Sequence, residues 1–300
     1  MPPNEAYPSP FSKVHAWLTG IRVASLSASI VPVLVGTAAA RPLHLQRPLA
    51  FLAALLASVL IQIGTNFTND VFDFRSGADT QERLGPARLI LSGSISPREA
   101  GMGAAVAFGL AGLLGLYLIL VGGWPILILG VASILSGIMY TGGPWPMGYH
   151  GLGDLFTFTF FGPVAVIGSC YLQTLSLSPI AILASLPVGF MVTAILVVNN
   201  LRDIETDRAA GKRTLAVRLD RQATRAQYAL LVYGAYLLPI ALSLAGRGPS
   251  TLLPLLTLPL AVRVQQAVSR ENGQALNHLL RATGQLNLLF GLLLAVGLWI

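Results

Sequence analysis

Three hundred residues would ordinarily make one or two soluble domains, but 54% of them are hydrophobic, only 10% are charged and the mean hydropathy is +0.70. No soluble core needs that much apolar sequence, so the composition points to a polytopic membrane protein. The net charge of +7 is scattered over short segments between apolar runs, and with no continuous basic domain nucleic acid is excluded as the expected partner. Cys170, the single cysteine, lies within an apolar run; it cannot form an intrachain disulfide and reads as a small buried hydrophobe.

The Pro-rich start lacks the basic-then-apolar order of a secretory signal, so no cleavage is expected. Residues 11 to 20 read as a short interfacial helix with Phe11, Val14, Trp17 and Leu18 facing lipid. Nine apolar segments follow, at about 22–40, 48–68, 100–120, 124–140, 152–173, 179–199, 226–245, 250–266 and 283–300, most of them near the roughly 20-residue minimum for a helical span. The expected fold is therefore all-α, a transmembrane bundle of about nine spans forming one integral membrane domain over residues 1–300, of which 1–20 is the N-terminal interfacial segment. Sixteen of the 19 Lys and Arg residues fall on the side of the N-terminus, which by the positive-inside rule is cytoplasmic, with the plasma membrane as the expected location. All 12 acidic residues fall on that side too. The rule does not require this, and it calls for a functional account.

The account begins where the second apolar segment ends. In N-F-T-N-D-V-F-D, Asn66, Asn69, Asp70 and Asp73 stand at i, i+3, i+4 and i+7, one face of a helix that continues past the apolar run. An acidic cluster at the mouth of a bilayer is costly unless something cationic sits there. At the mouth of segments four and five, Y-T-G-G-P-W-P-M-G-Y-H-G-L-G-D forbids regular helix through its Gly and Pro and reads as a wall of the same site. Within it Tyr140 reads either as a donor to a phosphate oxygen or as an interfacial anchor, Asp154 as a helix-start charge or a substrate contact, and His150 as structural.

The end of the sixth segment repeats the first pattern: Asn199, Asn200, Asp203 and Asp207 offer amides and then two carboxylates about a turn apart. Four intervening crossings bring both motifs to one face of the membrane, as two related halves would. Facing carboxylates with amide neighbours suit a hard cation such as Mg²⁺, which takes few protein oxygens and leaves positions for water or phosphate. Arg75, Arg83, Arg88, Arg202, Arg208, Lys212 and Arg213 stand around them. Acid, amide and base together fit a metal-bridged diphosphate better than a bare cation or a bare anion. Glu99, Asp220, Arg218, Arg221 and Arg225 read instead as caps and topology charges. A transporter would carry polar groups on through its spans, whereas here they stop at the mouth.

These residues resemble the UbiA superfamily of intramembrane prenyltransferases, in its naphthoate-accepting branch. The resemblance rests on N-x-x-N-D-x-x-D at Asn66 to Asp73, G-A-D-T-Q-E-R-L-G-P-A-R at Gly77 to Arg88, N-N-L-R-D-I-E-T-D-R-A-A-G-K-R-T-L-A-V-R-L at Asn199 to Leu219, Y-T-G-G-P, G-L-G-D, and V-P-V-L-V-G-T at Val31 to Thr37. It runs from about residue 20 to 300 and implies a bundle whose central cavity opens sideways to lipid, with two Mg²⁺ ions and a polyprenyl diphosphate. Carried over by position, Asn66, Asp70, Asp73, Asp203 and Asp207 hold the metals. Arg22, Tyr140 and Lys212, with Asn69 and Asn200, face the diphosphate. The branch implies an aromatic acceptor, 1,4-dihydroxy-2-naphthoate, prenylated with loss of CO₂ to give demethylmenaquinone; 4-hydroxybenzoate and homogentisate are the alternative acceptors within the superfamily. The segment past Asp73 then reads as a lid over the diphosphate.

Overall fold

A computed structural model describes residues 10–22, 25–40, 46–77, 84–85, 89–90 and 93–300, excepting the side chains of 10–12, and every regular element among these is helical. In chain order they are α1 (Pro10–Ile21), α2 (Leu26–Ala39), α3 (Pro48–Arg75), α4 (Pro97–Gly122), α5 (Trp124–Met139), α6 (Gly153–Thr159), α7 (Ala165–Thr174), α8 (Pro179–Arg202), α9 (Ile204–Ala209), α10 (Leu215–Leu242), α11 (Leu258–Arg270) and α12 (Leu276–Trp299).

Each of the nine apolar segments is helical, but they are not nine equal rods. Among the described residues seven stretches are long and apolar enough to cross a membrane, eight if the bent pair of α1 and α2 counts as one span. The remaining segment, α5, has only 16 residues, a turn short of the usual minimum. Several rods are composite. A π-helical turn at Phe160–Val164, containing Pro163, joins α6 to α7; the proline has no N–H to give the ladder, and the wider turn absorbs the defect. A 3₁₀ stretch, Pro249–Thr257, leads into α11, so the eighth segment reaches full length by a helix of smaller radius and longer rise.

Helix starts follow the local sequence. Pro48, Pro97 and Pro179 occupy the first turns of α3, α4 and α8, where a missing N–H is harmless. Ser96 and Glu99 form a capping box, with Glu99 N–H donating to Ser96 Oγ at 3.2 Å and Ser96 N–H to Glu99 Oε2 at 2.8 Å. Asp220 interrupts α10 at φ 69° and restarts it by accepting from the N–H groups of Gln222 and Ala223. Arg225 donates to the carbonyls of Val268 and Glu271 at the end of α11. These are the structural roles expected of Glu99, Asp220 and Arg225.

Helix α8 runs through the interior, packed against α10, α12, α2 and α7, while α3, α4 and α5 form the opposite flank. Close approach depends on small residues, as in other membrane bundles. A Cβ on Gly36 would stand 2.2 Å from the Val166 carbonyl oxygen, and one on Gly162 would stand 2.9 Å from Gly189 Cα. The outer surface is apolar, with Leu120 86% and Leu244 84% exposed, which suits lipid and would not suit water. A helix does form at the N-terminus, and its faces differ from those expected in one respect. Val14 and Leu18 are exposed, but Trp17 turns inward, edge-on to Phe67 at 5.2 Å, because Gly103 on α4 leaves room for its indole.

Candidate active site

The last two turns of α3 and the end of α8 face one another across a cavity of about 620 Å³. Asn66, Asn69, Asp70 and Asp73 all line it, as their shared helix face requires. So do Asn199, Asn200, Asp203 and Asp207, although the second arm is not one helix: α8 ends at Arg202, Asp203 occupies the break and α9 resumes at Ile204. Across the break Asp207 N–H still donates to the Asp203 carbonyl at 2.8 Å, and Lys212 N–H to the Asp207 carbonyl at 2.8 Å. This folded turn brings the Lys212 side chain back into the cavity.

Three of the carboxylates carry a cationic partner. Asp70 Oδ1 accepts from Arg22 Nη2 and its Oδ2 from Leu89 N–H at 3.3 Å. Arg22 sits between α1 and α2 at φ 55°, a left-handed conformation uncommon for a side-chain-bearing residue. Asp73 Oδ1 accepts from Lys212 Nζ at 2.8 Å and from the Tyr149 hydroxyl at 2.6 Å, and Lys212 lies 4.6 Å from the Tyr149 ring centroid. Asp203 is held by a fork: Arg202 Nε donates to Oδ1 at 2.8 Å and Nη2 to Oδ2 at 2.5 Å, the bidentate geometry that only arginine offers.

Both amides of the first arm are engaged as well. Asn66 Nδ2 donates to the Ile21 carbonyl at 3.0 Å, and its Oδ1 accepts from Gln62 Nε2 at 3.1 Å. Asn69 Oδ1 accepts from Thr141 Oγ1 at 2.8 Å. Tyr140 lines this cavity and also an adjoining apolar groove of about 370 Å³ between α3, α4, α5 and α7. The Tyr140 hydroxyl, that of a neutral phenol, is able to donate. A Cβ at Gly153 would come within 2.8 Å of that hydroxyl; glycine there leaves it room.

Asp154 is a near neighbour that stays out of the cavity: it accepts from Gln227 Nε2 at 2.6 Å at the first turn of α6. His150 stacks on Trp145 at 4.4 Å. Asp79, Glu82, Arg83 and Arg88, and with them most of the expected lid, lie outside the described residues. Tyr149, Arg281 and Asn277 escaped the reading by motif, in which Arg202 is only one basic residue among several around the site. Tyr149 lies in the Gly/Pro wall segment without a distinguishing neighbour. Asn277, on α12, has no motif around it at all.

The donor set tests whether Mg²⁺ fits. Among the described residues no three carboxylate, histidine or cysteine groups converge on one point, which rules out an all-protein cage there. Mg²⁺ does not ask for one: one or two carboxylates plus phosphate oxygens and water suffice. Charge points the same way. Asp70, Asp73, Asp203 and Asp207 line the cavity with Arg22, Arg202, Lys212 and Arg281, so it is formally balanced, and a bare diphosphate entering it would leave uncompensated negative charge. A diphosphate arriving with divalent ions would not. The residues fit the metal.

An all-helical membrane bundle with two facing acid-amide-base arms at one mouth, opening on an apolar groove, is the architecture of an intramembrane prenyltransferase. The chain belongs to the UbiA prenyltransferase family, whose pattern it matches over residues 29–281. It is 39% identical over 280 residues to the 1,4-dihydroxy-2-naphthoate octaprenyltransferase of Mycobacterium tuberculosis (strain ATCC 25618 / H37Rv), covering 93% of this chain and 95% of that one. It is 34% identical over 278 residues to the enzyme of the same name from Bacillus subtilis (strain 168), covering 92% and 89%. Its fold is similar to that of a UbiA homologue from Archaeoglobus fulgidus bound to GPP and Mg²⁺, with a TM-score of 0.65 at 15% identity over 94% of this chain and 100% of that one.

Proposed function

We propose that this prenyltransferase moves the polyprenyl group of a prenyl diphosphate onto 1,4-dihydroxy-2-naphthoate at a Mg²⁺-dependent site on the cytoplasmic face of the plasma membrane. The observation that carries the reading is the pairing of the two arms across one cavity that continues into an apolar groove through Gln62, Thr65, Tyr140, Thr157 and Phe161, which line both. The naphthoate acceptor rests on the relatives' names and on the motif wording.

Asp70 and Asp73 on one arm and Asp203 and Asp207 on the other would hold the metal, with Asn66 beside them. Bound there, Mg²⁺ supplies Lewis-acid stabilisation of the charge on the leaving diphosphate. Arg22 and Lys212 reach the same carboxylates and would turn to diphosphate oxygens, and Tyr140 would donate to one, with Asn69 and Asn200 in the lining around them. Such preorganised donors favour heterolysis of the allylic C–O bond: its electron pair leaves with the diphosphate and the prenyl group becomes a carbocation. Apolar walls exclude water that would quench that cation.

The electron-rich ring then attacks through the carbon bearing the carboxylate, forming the new C–C bond. This carbon becomes tetrahedral while the adjacent hydroxyl gives up its proton and becomes a ring carbonyl, so the carboxylate is now that of a β-keto acid. It leaves as CO₂, its electron pair restoring the aromatic ring, and the resulting phenolate takes a proton back to reach the quinol level of demethylmenaquinone. Donor and product are both lipids, which accounts for a site opening on the bilayer. Purified protein supplied with radiolabelled prenyl diphosphate and, in turn, the naphthoate, 4-hydroxybenzoate and homogentisate should label the first and release its carboxyl carbon as CO₂. Transfer to either of the others without transfer to the naphthoate would refute the acceptor.

A further inference from the structure

Arg202 is 2% exposed and each of its three guanidinium nitrogens has a partner. Beyond the fork on Asp203, Nη2 donates to Asn199 Oδ1 at 2.9 Å and Nη1 to Asn277 Oδ1 at 2.9 Å. Asn277, the second residue of α12, in turn donates from Nδ2 to the Leu84 carbonyl at 2.8 Å. The amide orientation is forced, because a guanidinium can only donate and a carbonyl can only accept. Five residues beyond Leu84, the N–H of Leu89 donates to Asp70 Oδ2.

Hydrogen bonds therefore run from Asp203 through Arg202 and Asn277 to the Leu84 carbonyl, and Asn277 joins the end of α8 to the start of α12 at the cavity wall.

We propose that Asn277 is a positioning residue of the diphosphate site: held by its own bond to the Leu84 carbonyl, it fixes Arg202 Nη1 and so keeps the Asp203–Arg202 fork aimed at the cavity. The inference rests on the metal-diphosphate reading above. Partners that orient a ligating carboxylate through a second hydrogen bond typically contribute about 10- to 100-fold to affinity, and Asn277 stands one bond further out, at the lower end of that range.

The test removes both contacts without adding charge. Asn277→Leu does so at nearly constant volume; Asn277→Ala removes the volume as well. Binding of inorganic pyrophosphate with Mg²⁺ to the detergent-solubilised full chain, followed by calorimetry, should weaken about tenfold in both. Hydrogen–deuterium exchange should leave the peptides of α8 and α12 at wild-type protection. Pyrophosphate binding within twofold of wild type in both variants would overturn the proposal. So would a loss of protection spread evenly over α8 and α12, the mark of a residue that merely packs the bundle. A wild-type chain that binds no pyrophosphate with Mg²⁺ would refute the functional reading itself, and this inference with it.

Discussion

Removing the Asp203 carboxylate should have two separable consequences. Asp203→Ala deletes the acceptor for both prongs of the Arg202 fork, leaving a guanidinium that is 1% exposed with only Asn199 and Asn277. Stripping one partner from a buried ion pair costs about 3–5 kcal/mol, most of it the price of the charge left behind. At roughly 2 °C per kcal/mol for a chain of this size, the thermal midpoint in detergent should fall by about 6–10 °C. Turnover should fall by about 10²- to 10³-fold or more, as when one preorganised stabiliser of transition-state charge is lost. Asp203→Asn separates the effects: its amide oxygen still accepts one fork N–H, so the stability loss should stay below about 2 kcal/mol, while turnover is lost as fully. The assay is radiolabelled prenyl transfer at saturating Mg²⁺ beside a thermal melt of the same preparation. Appreciable turnover in Asp203→Asn would refute the role given to the carboxylate, and an unshifted melt for Asp203→Ala would refute the fork.

Asp70→Ala should abolish transfer while the protein still inserts, because its partner Arg22 is 32% exposed and can be solvated when released; failure to recover folded protein by size-exclusion chromatography would contradict this. Tyr149→Phe removes a neutral donor to Asp73 worth about 0.5–1.5 kcal/mol, so kcat should drop about 2- to 10-fold without loss of Lys212 pairing, which steady-state kinetics would register. Gly162→Ala forces a Cβ against Gly189 Cα and the Ser185 carbonyl, both 2.9 Å away, and should destabilise by about 1–3 kcal/mol in a melt. Chelation with EDTA should stop transfer and added Mg²⁺ restore it; full activity in EDTA would remove the metal from the reaction.

How much of this was legible depends on how far each feature is local in sequence. Asn66, Asn69, Asp70 and Asp73 were readable because a single helix places them: the 3.6-residue period alone puts them on one face, and α3 continues through Arg75 to keep it so. The second arm was readable as a repeat, although the break at Asp203 was not. The bilayer itself marked the apolar segments, yet α5 and the 3₁₀ start of the eighth segment show that hydropathy reports burial in lipid and not helix type. Trp17 was misplaced because its destination is set by an absent side chain, Gly103, more than 80 residues away. Asn277 and Tyr149 were invisible for the same reason, since each has meaning only through a partner on another helix.

The cavity's charge balance explains why the site can exist where it does. Four carboxylates at a membrane mouth would repel one another and the substrate, and an equal number of cations alone would trap the diphosphate product. Pairing Asp70 with Arg22, Asp73 with Lys212 and Asp203 with Arg202 removes both problems, at the cost of desolvating each pair. The pairs also differ in a way that matches their work. Arg202 is enclosed and engaged at all three guanidinium nitrogens, which suits it to orient. Arg22 is partly exposed, and Lys212 offers a flexible ammonium, so in the reaction proposed above both would follow charge from carboxylate to diphosphate. A charge-preserving Arg202→Lys should therefore lose the fork and with it most of the turnover, whereas Lys212→Arg should keep a substantial fraction. The opposite ranking in a transfer assay would mean that the roles of the two cations have been assigned the wrong way round.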